Sequence, residues 1–254
     1  MVLLDECHHV PAATFQQLVD QFPACYRYGL TATPEREDGL GFIITAVLGP
    51  IIHQVEKDTL VANGSILKPT VKVVQTGTYI PFVESYQELL AKIVKDEARN
   101  RLIVSYVLKE TAAGHYCLVL SERVRHAREL YLRFMEQAPE ISAYCITGQD
   151  SKETRQKAIN AMNAGTGRVL LSTKLADEGL DIPRIDRLFL TCPVRAVNKV
   201  TQQIGRIQRT FPGKRDAIVY DFIDNNSLAE SQFRTRNRRI YSDYLTEIIE
   251  RPEP

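Results

Sequence analysis

Two polar clusters near opposite ends of this 254-residue chain have the composition of a site for phosphoryl transfer. In the first cluster, Asp5 and Glu6 follow directly after the apolar run at 2–4. Transfer of a phosphoryl group to water needs a cation on the phosphate oxygens and a base that orients the water. Asp5 is suited to hold Mg²⁺, usually through a water molecule, and Glu6 is suited to take the proton.

The second cluster lies on a helix that we predict at about residues 196–210. Gln202, Arg206 and Arg209 are spaced i, i+4, i+7 and are therefore predicted to share one face. Apolar residues at the same spacing are predicted to pack inward: Val200, Ile204, Ile207 and Phe211. Two arginines and a glutamine along one face suit a triphosphate, because guanidinium groups donate paired hydrogen bonds to phosphate oxygens.

Two threonines follow the strand that we predict at 26–30. Thr31 and Thr33 flank one small residue, and their hydroxyls are placed to bond the acidic loop and to relay the state of a bound nucleotide. An ordinary turn with local hydrogen bonds is the alternative interpretation.

A further candidate loop follows the strand predicted at 168–172. Ser172 and Thr173 end this strand, in a position suited to a phosphate of a nucleic-acid backbone. Gly179 permits a sharp turn, and Asp181 is suited to accept a hydrogen bond from a ribose hydroxyl.

The helix predicted at 122–137 carries four arginines beside an apolar face. Ser121 and Arg123 lie at its N-terminal turn, which is suited to meet phosphates of a nucleic acid. A solvated basic face explains the same pattern equally well.

Short apolar runs alternate with helical patterns over most of the chain. Strands are predicted at 2–4, 26–30, 51–55, 70–75, 116–121, 143–146, 168–172, 187–191 and 217–222, and helices at 15–22, 86–111, 122–137, 152–164 and 196–210. This alternation predicts an α/β fold with parallel sheets covered by helices on both faces. The pattern changes around 77–82, and we place a domain boundary there, between 1–78 and 79–254.

The composition excludes several classes of protein. With 44% hydrophobic and 25% charged residues, the chain is neither disordered nor membrane-embedded, and it has no apolar run of the roughly 20 residues that span a bilayer. Five cysteines without a C-x-x-C spacing favour a reducing, cytoplasmic setting. Residues 1–78 are net acidic and 79–254 net basic, so the second part is the better candidate for binding a polyanion.

Taken in order, these motifs resemble those of the superfamily 2 helicases and translocases, whose motor is two RecA-like domains with ATP in the cleft between them. The tetrapeptide 5–8 resembles the DECH/DEAH box, and 31–33 resembles the third motif of the family. The stretch 172–181 resembles the fifth motif, and 202–209 matches the Q-x-x-G-R-x-x-R pattern of the sixth. The stretch 29–39 is similar to that of the XPB-like group, which acts in excision repair of DNA, and of related phage and restriction-type helicases.

The resemblance implies an ATP-dependent DNA helicase or translocase with a partial RecA-like first domain at 1–78 and a complete second domain at 79–254. It implies the following ligands of ATP and Mg²⁺: Asp5 for the metal, Glu6 as the base, Arg206 and Arg209 for the γ-phosphate, Asp181 for the ribose, with His8, Gly179 and Gln202 around the nucleotide. Nucleic acid is expected at Ser121, Arg123, Ser172 and Thr173, and Thr31 and Thr33 are expected to couple the two activities.

One element of such a motor is missing from the sequence. The phosphate-binding pattern G-x-x-x-x-G-K-[ST] does not occur, and the Gly213-Lys214 pair is followed by Arg215. We expect the phosphate loop and the rest of the first domain to lie upstream of Asp5, so that this chain alone hydrolyses ATP negligibly. Two alternatives remain: a nucleotide-independent module that binds nucleic acid or a partner protein, and an RNA helicase.

Overall fold

The computed structural model describes residues 1–12, 17, 19, 21–31, 39–173, 181–194 and 196–249. The chain divides into two units, Met1–Thr59 and Leu60–Pro254, and each is described by itself. Thr33 and Gly179 lie outside the described residues, as does most of the helix predicted at 15–22. None of the helices that the structure describes has the length and apolar composition needed to cross a lipid bilayer.

The first unit contains a parallel pair of short strands, β1 (Val2–Leu4) and β2 (Arg27–Gly29). A single 3₁₀ turn (Cys7–His9) follows β1, and helix α1 (Gly41–Leu48) packs against this turn and against β2. A side chain at Gly29 would place its Cβ 2.5 Å from Leu48 and 2.7 Å from the sulfur of Cys7. Glycine is therefore required for the close approach of these elements.

The second unit is built on a seven-stranded, entirely parallel sheet. Its strands are β3 (Thr70–Tyr79), β4 (Cys117–Ser121), β5 (Ala143–Ile146), β6 (Val169–Thr173), β7 (Arg187–Leu190), β8 (Ile218–Asn225) and β9 (Leu245–Ile249), and their order across the sheet is β5-β6-β4-β7-β8-β3-β9. The helices are α2 (Lys57–Ala62), at whose Thr59–Leu60 bond the two units divide, α3 (Tyr86–Ile93), α4 (Glu97–Ala112), α5 (Val124–Gln137), α6 (Lys152–Ala164), α7 (Val197–Gln208) and α8 (Ser227–Arg239). A 3₁₀ turn (Tyr241–Asp243) precedes β9.

Two apolar cores lie on the two faces of this sheet because successive strand residues point in opposite directions. In β4, Leu118 and Leu120 pack into a core with residues of α6 and α7. Cys117 and Val119 pack into a second core with residues of α4 and α5. The result is a three-layer arrangement with helices on both faces, which confirms the predicted fold class.

Buried ion pairs fix the carboxyl end of β8. Arg236 of α8 binds the carboxylate of Asp221 through two hydrogen bonds of 2.9 and 3.0 Å, and it also donates to the carbonyl of Val194 at 2.8 Å. Arg99 of α4 makes one hydrogen bond of 2.7 Å to Asp224 and donates to the carbonyl of Thr191 at 2.7 Å. Because each charge is paired and also hydrogen-bonded, these contacts hold the segment before α7 in place.

The structure places the boundary between the units nearer to the start of the chain than the sequence predicts. Strand β3 pairs with both β8 and β9, so residues 70–78 belong to the second sheet and not to the first domain. The predicted boundary at 78 is therefore corrected to the bond between Thr59 and Leu60.

Two predicted elements also differ. The helix predicted at 86–111 is two helices, because Asp96 caps a new helix by accepting a hydrogen bond from the backbone N–H of Arg99 at 2.8 Å. The predicted strand at 51–55 is not a strand, and its apolar side chains are exposed, with Ile52 at 77%.

Candidate functional site

The acidic pair of the first unit follows β1 in a sharp turn. Glu6 has φ 50° and ψ 45°, and among the described residues it is the one non-glycine with positive φ. Its backbone N–H donates to Oδ1 of Asp5 at 2.9 Å. Both residues are exposed, and such a strained conformation is maintained mostly at functional sites. The exposed carboxylate of Asp5 fits Mg²⁺, which is commonly bound by one or two carboxylates and several waters.

His8 connects this turn to the threonine that follows β2. Its Nδ1 lies 3.1 Å from Oγ1 of Thr31 and 3.1 Å from Oε2 of Glu6. The backbone N–H of Cys7 donates to the carbonyl of Leu30 at 2.9 Å, and this bond holds the two segments together. Thr31 thus contacts the acidic loop, as predicted, and its partner in that loop is the side chain of His8, which is 7% exposed.

Helix α7 presents one buried and one partly exposed face. Val200, Ile204 and Ile207 are fully buried, as the spacing predicts, whereas Gln202 and Arg206 are only half-buried. The amphipathic pattern therefore gives the orientation of this helix correctly.

Arg209 does not lie on the helical face, and this part of the prediction is corrected. The helix ends at Gln208, and Arg209 has the extended ψ of 133° and forms a bridge with Ile66. The i, i+7 relation to Gln202 therefore does not apply, and the predicted inward-facing Phe211 also lies beyond the helix and is half-buried.

Arg209 instead forms an ion pair with Asp181, 28 positions earlier in the chain. Both side chains are about half exposed, at 48% and 66%. The backbone carbonyl of Asp181 also accepts a hydrogen bond of 3.0 Å from Asn163 of α6. The structure thus brings together Arg209, which is expected at the γ-phosphate, and Asp181, which is expected at the ribose.

Three of the four predicted nucleic-acid contacts are buried. Ser121, Ser172 and Thr173 are 4%, 0% and 5% exposed. Their side chains are buried at the ends of β4 and β6 in the described conformation, and their contact with nucleic acid stays a prediction. Arg123 is half-buried and donates a hydrogen bond to Gln87 of α3.

A buried polar network that the sequence did not predict holds Ser121. His126 of α5 lies 2.9 Å from Oγ of Ser121 and 3.0 Å from Oδ1 of Asn100, and it is 1% exposed. Burial, together with the nearby charge of Arg99, lowers the pKa of His126 to about 3. The imidazole is therefore neutral, donates to Asn100 and accepts from Ser121. A lone histidine on an apolar helix face is the only signal in the sequence.

One group of side chains has the composition of a metal site. It lies at the amino ends of the strands, opposite to the end that carries Ser121. His115, Asp186 and Asp216 each offer a ligand atom within 4.8 Å of one another. The guanidinium of Arg187 lies 2.7 Å from Nε2 of His115 and donates to Asp216 at 2.8 Å. Because this cation already supplies the positive charge, we assign the group to a structural ion-pair network.

Comparison with known protein families identifies both ends of the chain. Residues 97–211 match the model of the helicase conserved C-terminal domain, and residues 1–36 match that of the type III restriction enzyme res subunit. The first match includes α7 and Asp181, and the second includes the acidic turn and Thr31.

Relatives with helicase names match over nearly the whole chain. A protein of Sulfolobus islandicus filamentous virus with such a name is 29% identical over 265 residues, which cover 96% of this chain and 46% of the relative. The DNA 3'-5' translocase XPB2 of Sulfurisphaera tokodaii is 22% identical over 94% of this chain and 61% of its own. The ATP-dependent DNA helicase uvsW of phage T4 is 21% identical over 96% and 50%. The chain thus spans about half the length of the curated relatives it matches.

Solved structures have the same fold. A fragment named as an HsdR subunit of a type I restriction enzyme from Vibrio vulnificus has a TM-score of 0.73 at 17% identity, over 98% of this chain and 48% of that one. Dbp5 of S. cerevisiae, bound to RNA and ADP BeF3, has a TM-score of 0.67 at 12% identity, over 98% and 59%. The fold is RecA-like. Together with the two family models, it supports the resemblance of this chain to the C-terminal portion of superfamily 2 helicases.

Proposed function

We propose that the intact protein, encoded by the full reading frame, is an ATP-dependent helicase or translocase that couples hydrolysis to movement along nucleic acid. DNA is the expected polymer, because the XPB2 and uvsW relatives are named for DNA. The backbone-directed grip expected of such a motor does not by itself distinguish DNA from RNA.

In this proposal the chemistry is divided between the two clusters. Asp5 would hold Mg²⁺, which supplies the positive charge on the phosphate oxygens. Glu6 orients and deprotonates the attacking water, and Arg206 and Arg209 bind the γ-phosphate. His8 and Gln202 contribute around the nucleotide, and Asp181 and Gly179 belong to the loop beside the ribose. Thr31 and Thr33 relay the state of the acidic turn, with His8 as the first link.

The contact between Asp181 and Arg209 is the observation that best supports this proposal. The two residues come from different motifs and are joined at an exposed position where a ligand can reach both. An arginine fork beside a carboxylate suits a ribonucleoside phosphate, because the fork donates to phosphate and the carboxylate accepts from a hydroxyl. Arg123 is the one proposed contact with nucleic acid that keeps an accessible side chain.

The proposal is tested by measuring ATP hydrolysis by the intact protein with and without single-stranded and duplex DNA, and with RNA. We expect turnover that one of these polymers stimulates. An intact protein that binds nucleic acid but never hydrolyses ATP would instead support the alternative of a nucleotide-independent binding module.

We further propose that the 254-residue chain alone hydrolyses ATP negligibly, because its sequence lacks the pattern that surrounds phosphates with backbone N–H groups. The same assay on the purified chain checks this. DNA-stimulated turnover of about 1 s⁻¹ or more, the ordinary range of enzymes, would contradict it.

A further inference from the structure

Lys214 lies between the two segments that carry Asp181 and Arg209. Its ammonium group donates to the backbone carbonyls of Pro183 at 3.1 Å, Ile185 at 2.6 Å and Arg209 at 2.8 Å. An ammonium group has three donors, so these three carbonyls use all of them. Hydrogen bonds from a charged donor are about twice as strong as those between neutral groups.

A tight turn delivers Lys214 to this position. The backbone N–H of Lys214 bonds to the carbonyl of Phe211 at 2.9 Å, and Gly213 has φ 86°. Proline followed by a glycine with positive φ is the arrangement of a type II turn. The Gly-Lys pair that does not continue into a phosphate loop therefore has a structural explanation of its own.

A second cation strengthens the same connection. Arg184 donates to the carbonyl of Asn163 at 2.8 Å and lies 4.4 Å above the ring of Phe211. Asn163 in turn donates to the carbonyl of Asp181. The loop at 181–185 and the segment at 209–214 are thus joined by two cations. Lys214, from the second segment, binds the carbonyls of the loop, and Arg184, from the loop, packs on Phe211 of the second segment.

We propose that Lys214 is a positioning residue that holds the Asp181 loop and Arg209 as one body, so that Arg209 meets the nucleotide in a single position. This inference rests on the proposed function, since the nucleotide roles of Asp181 and Arg209 belong to it. Lys214 itself touches backbone carbonyls and has no part in the chemistry.

The geometric half of the inference is tested by hydrogen exchange on the 254-residue chain. Lys214→Met removes all three donors with little change in size, and we expect exchange at both 181–185 and 209–214 to rise about 10-fold or more. The matched control is Lys92→Met, which removes an exposed lysine from α3 and should leave both segments unchanged. Faster exchange in one segment alone, or in neither, would overturn the inference. Should Lys214→Met not fold, Lys214→Gln, which keeps two donors on a shorter side chain, is measured instead, and we expect exchange to rise in both segments by a smaller factor.

The functional half is tested by ATP hydrolysis in the intact protein. We expect Lys214→Met to lower kcat by about 10- to 10²-fold with a smaller change in KM, the scale of a misplaced reacting group. In an Arg209→Ala background the same change should lower kcat by clearly less than it does alone, because the part of its effect that acts through Arg209 is already lost. Losses that multiply in the double variant would show an independent structural role and overturn the inference.

The two failures are distinguishable. Unchanged turnover in Lys214→Met, in a protein that Arg209→Ala inactivates, contradicts this inference alone. Unchanged turnover in Arg209→Ala contradicts the proposed function, and the positioning role falls with it.

Discussion

Glu6 combines a left-handed backbone conformation with a side chain that is 50% exposed, directly after a strand. This position suits a base that must reach a water molecule outside the protein surface. The neighbouring His8 is fixed between Glu6 and Thr31, so a change at Glu6 that keeps its shape should leave the turn intact.

In the intact protein we therefore expect Glu6→Gln to keep ATP binding and to lose turnover by about 10²-fold or more, the usual contribution of a general base. Steady-state hydrolysis and nucleotide titration measure the two quantities. Glu136→Gln, on the exposed face of α5, is the control and should behave as the parent does. Turnover that survives in Glu6→Gln would remove Glu6 from this role.

Some individual contacts were predictable and others were not. The bond of Thr31 to the acidic loop was expected, because two loops that follow adjacent parallel strands lie at the same sheet edge. The ion pair between Asp181 and Arg209 was not, because the side chain of Arg209 was assigned to a helix that ends one residue earlier. Likewise, the hydroxyls of Ser172 and Thr173 were expected at the surface, but polar residues at the end of a strand can also face inward.

At the scale of elements, α7 carries the clearest expectation. Ile207 is fully buried between the sheet and its neighbours, whereas Arg209 is exposed beyond the helix end. Ile207→Ala should cost about 2–5 kcal/mol of unfolding free energy by leaving a cavity. Urea denaturation measures this cost.

Arg209→Ala should leave the unfolding free energy nearly unchanged, because the lost side chain opens no cavity. In the intact protein it should lower turnover by roughly 10³-fold or more, as for arginines that meet transition-state charge in comparable hydrolases. If Arg209→Ala unfolds the second unit, or if Ile207→Ala leaves its stability untouched, the assigned orientation of α7 and its end is incorrect.

The buried histidine of α5 makes a prediction about pH. The unfolded imidazole has the ordinary pKa of 6.5, whereas in the folded chain the pKa of His126 is lowered to about 3. Between these two pH values the unfolded chain binds one more proton than the folded chain. The unfolding free energy is therefore highest above pH 6.5, with respect to His126, and falls as the pH falls towards 3. From pH 6.5 to 4.5 this loss amounts to about 2 kcal/mol.

The loss is measured by urea denaturation of the parent and of His126→Gln at both pH values. Carboxylates and other histidines titrate in both proteins, so the difference between them isolates His126. We expect the parent to lose about 2 kcal/mol more than the variant over this interval. Equal losses would mean that the folded imidazole titrates normally.

Element prediction succeeded where local pattern determines structure. Strands β4, β6 and β7 are mostly apolar and buried on both faces, and α6 has the predicted bounds of 152–164. Strand β9 was missed because it is an edge strand with exposed apolar residues, such as Leu245 and Ile248. The break between α3 and α4 was missed because it depends on one capping aspartate rather than on a change in periodicity.

At the scale of the whole molecule, the basic character of the second unit predicts how the chain binds nucleic acid. We expect affinity of the 254-residue chain for single strands to fall steeply with salt, with a slope of about −0.7 per phosphate neutralised, and to vary little with sequence. Fluorescence anisotropy with labelled strands of different sequence at several salt concentrations measures both. Binding that ignores salt, or that depends strongly on sequence, would contradict a grip on the backbone.

Strand β3 lies between β8 and β9. The first strand of the second unit therefore forms its hydrogen bonds with the last two strands of the unit. During biosynthesis, Val71, Val73 and Val74 leave the ribosome roughly 10–30 s before their partners at 218–225 and 245–249, at common elongation rates. In that interval a β-prone apolar segment has both hydrogen-bonding edges open. Nascent-chain chaperones that bind extended apolar segments should therefore protect β3 first, and a chain stalled before residue 218 should remain a substrate for proteolysis.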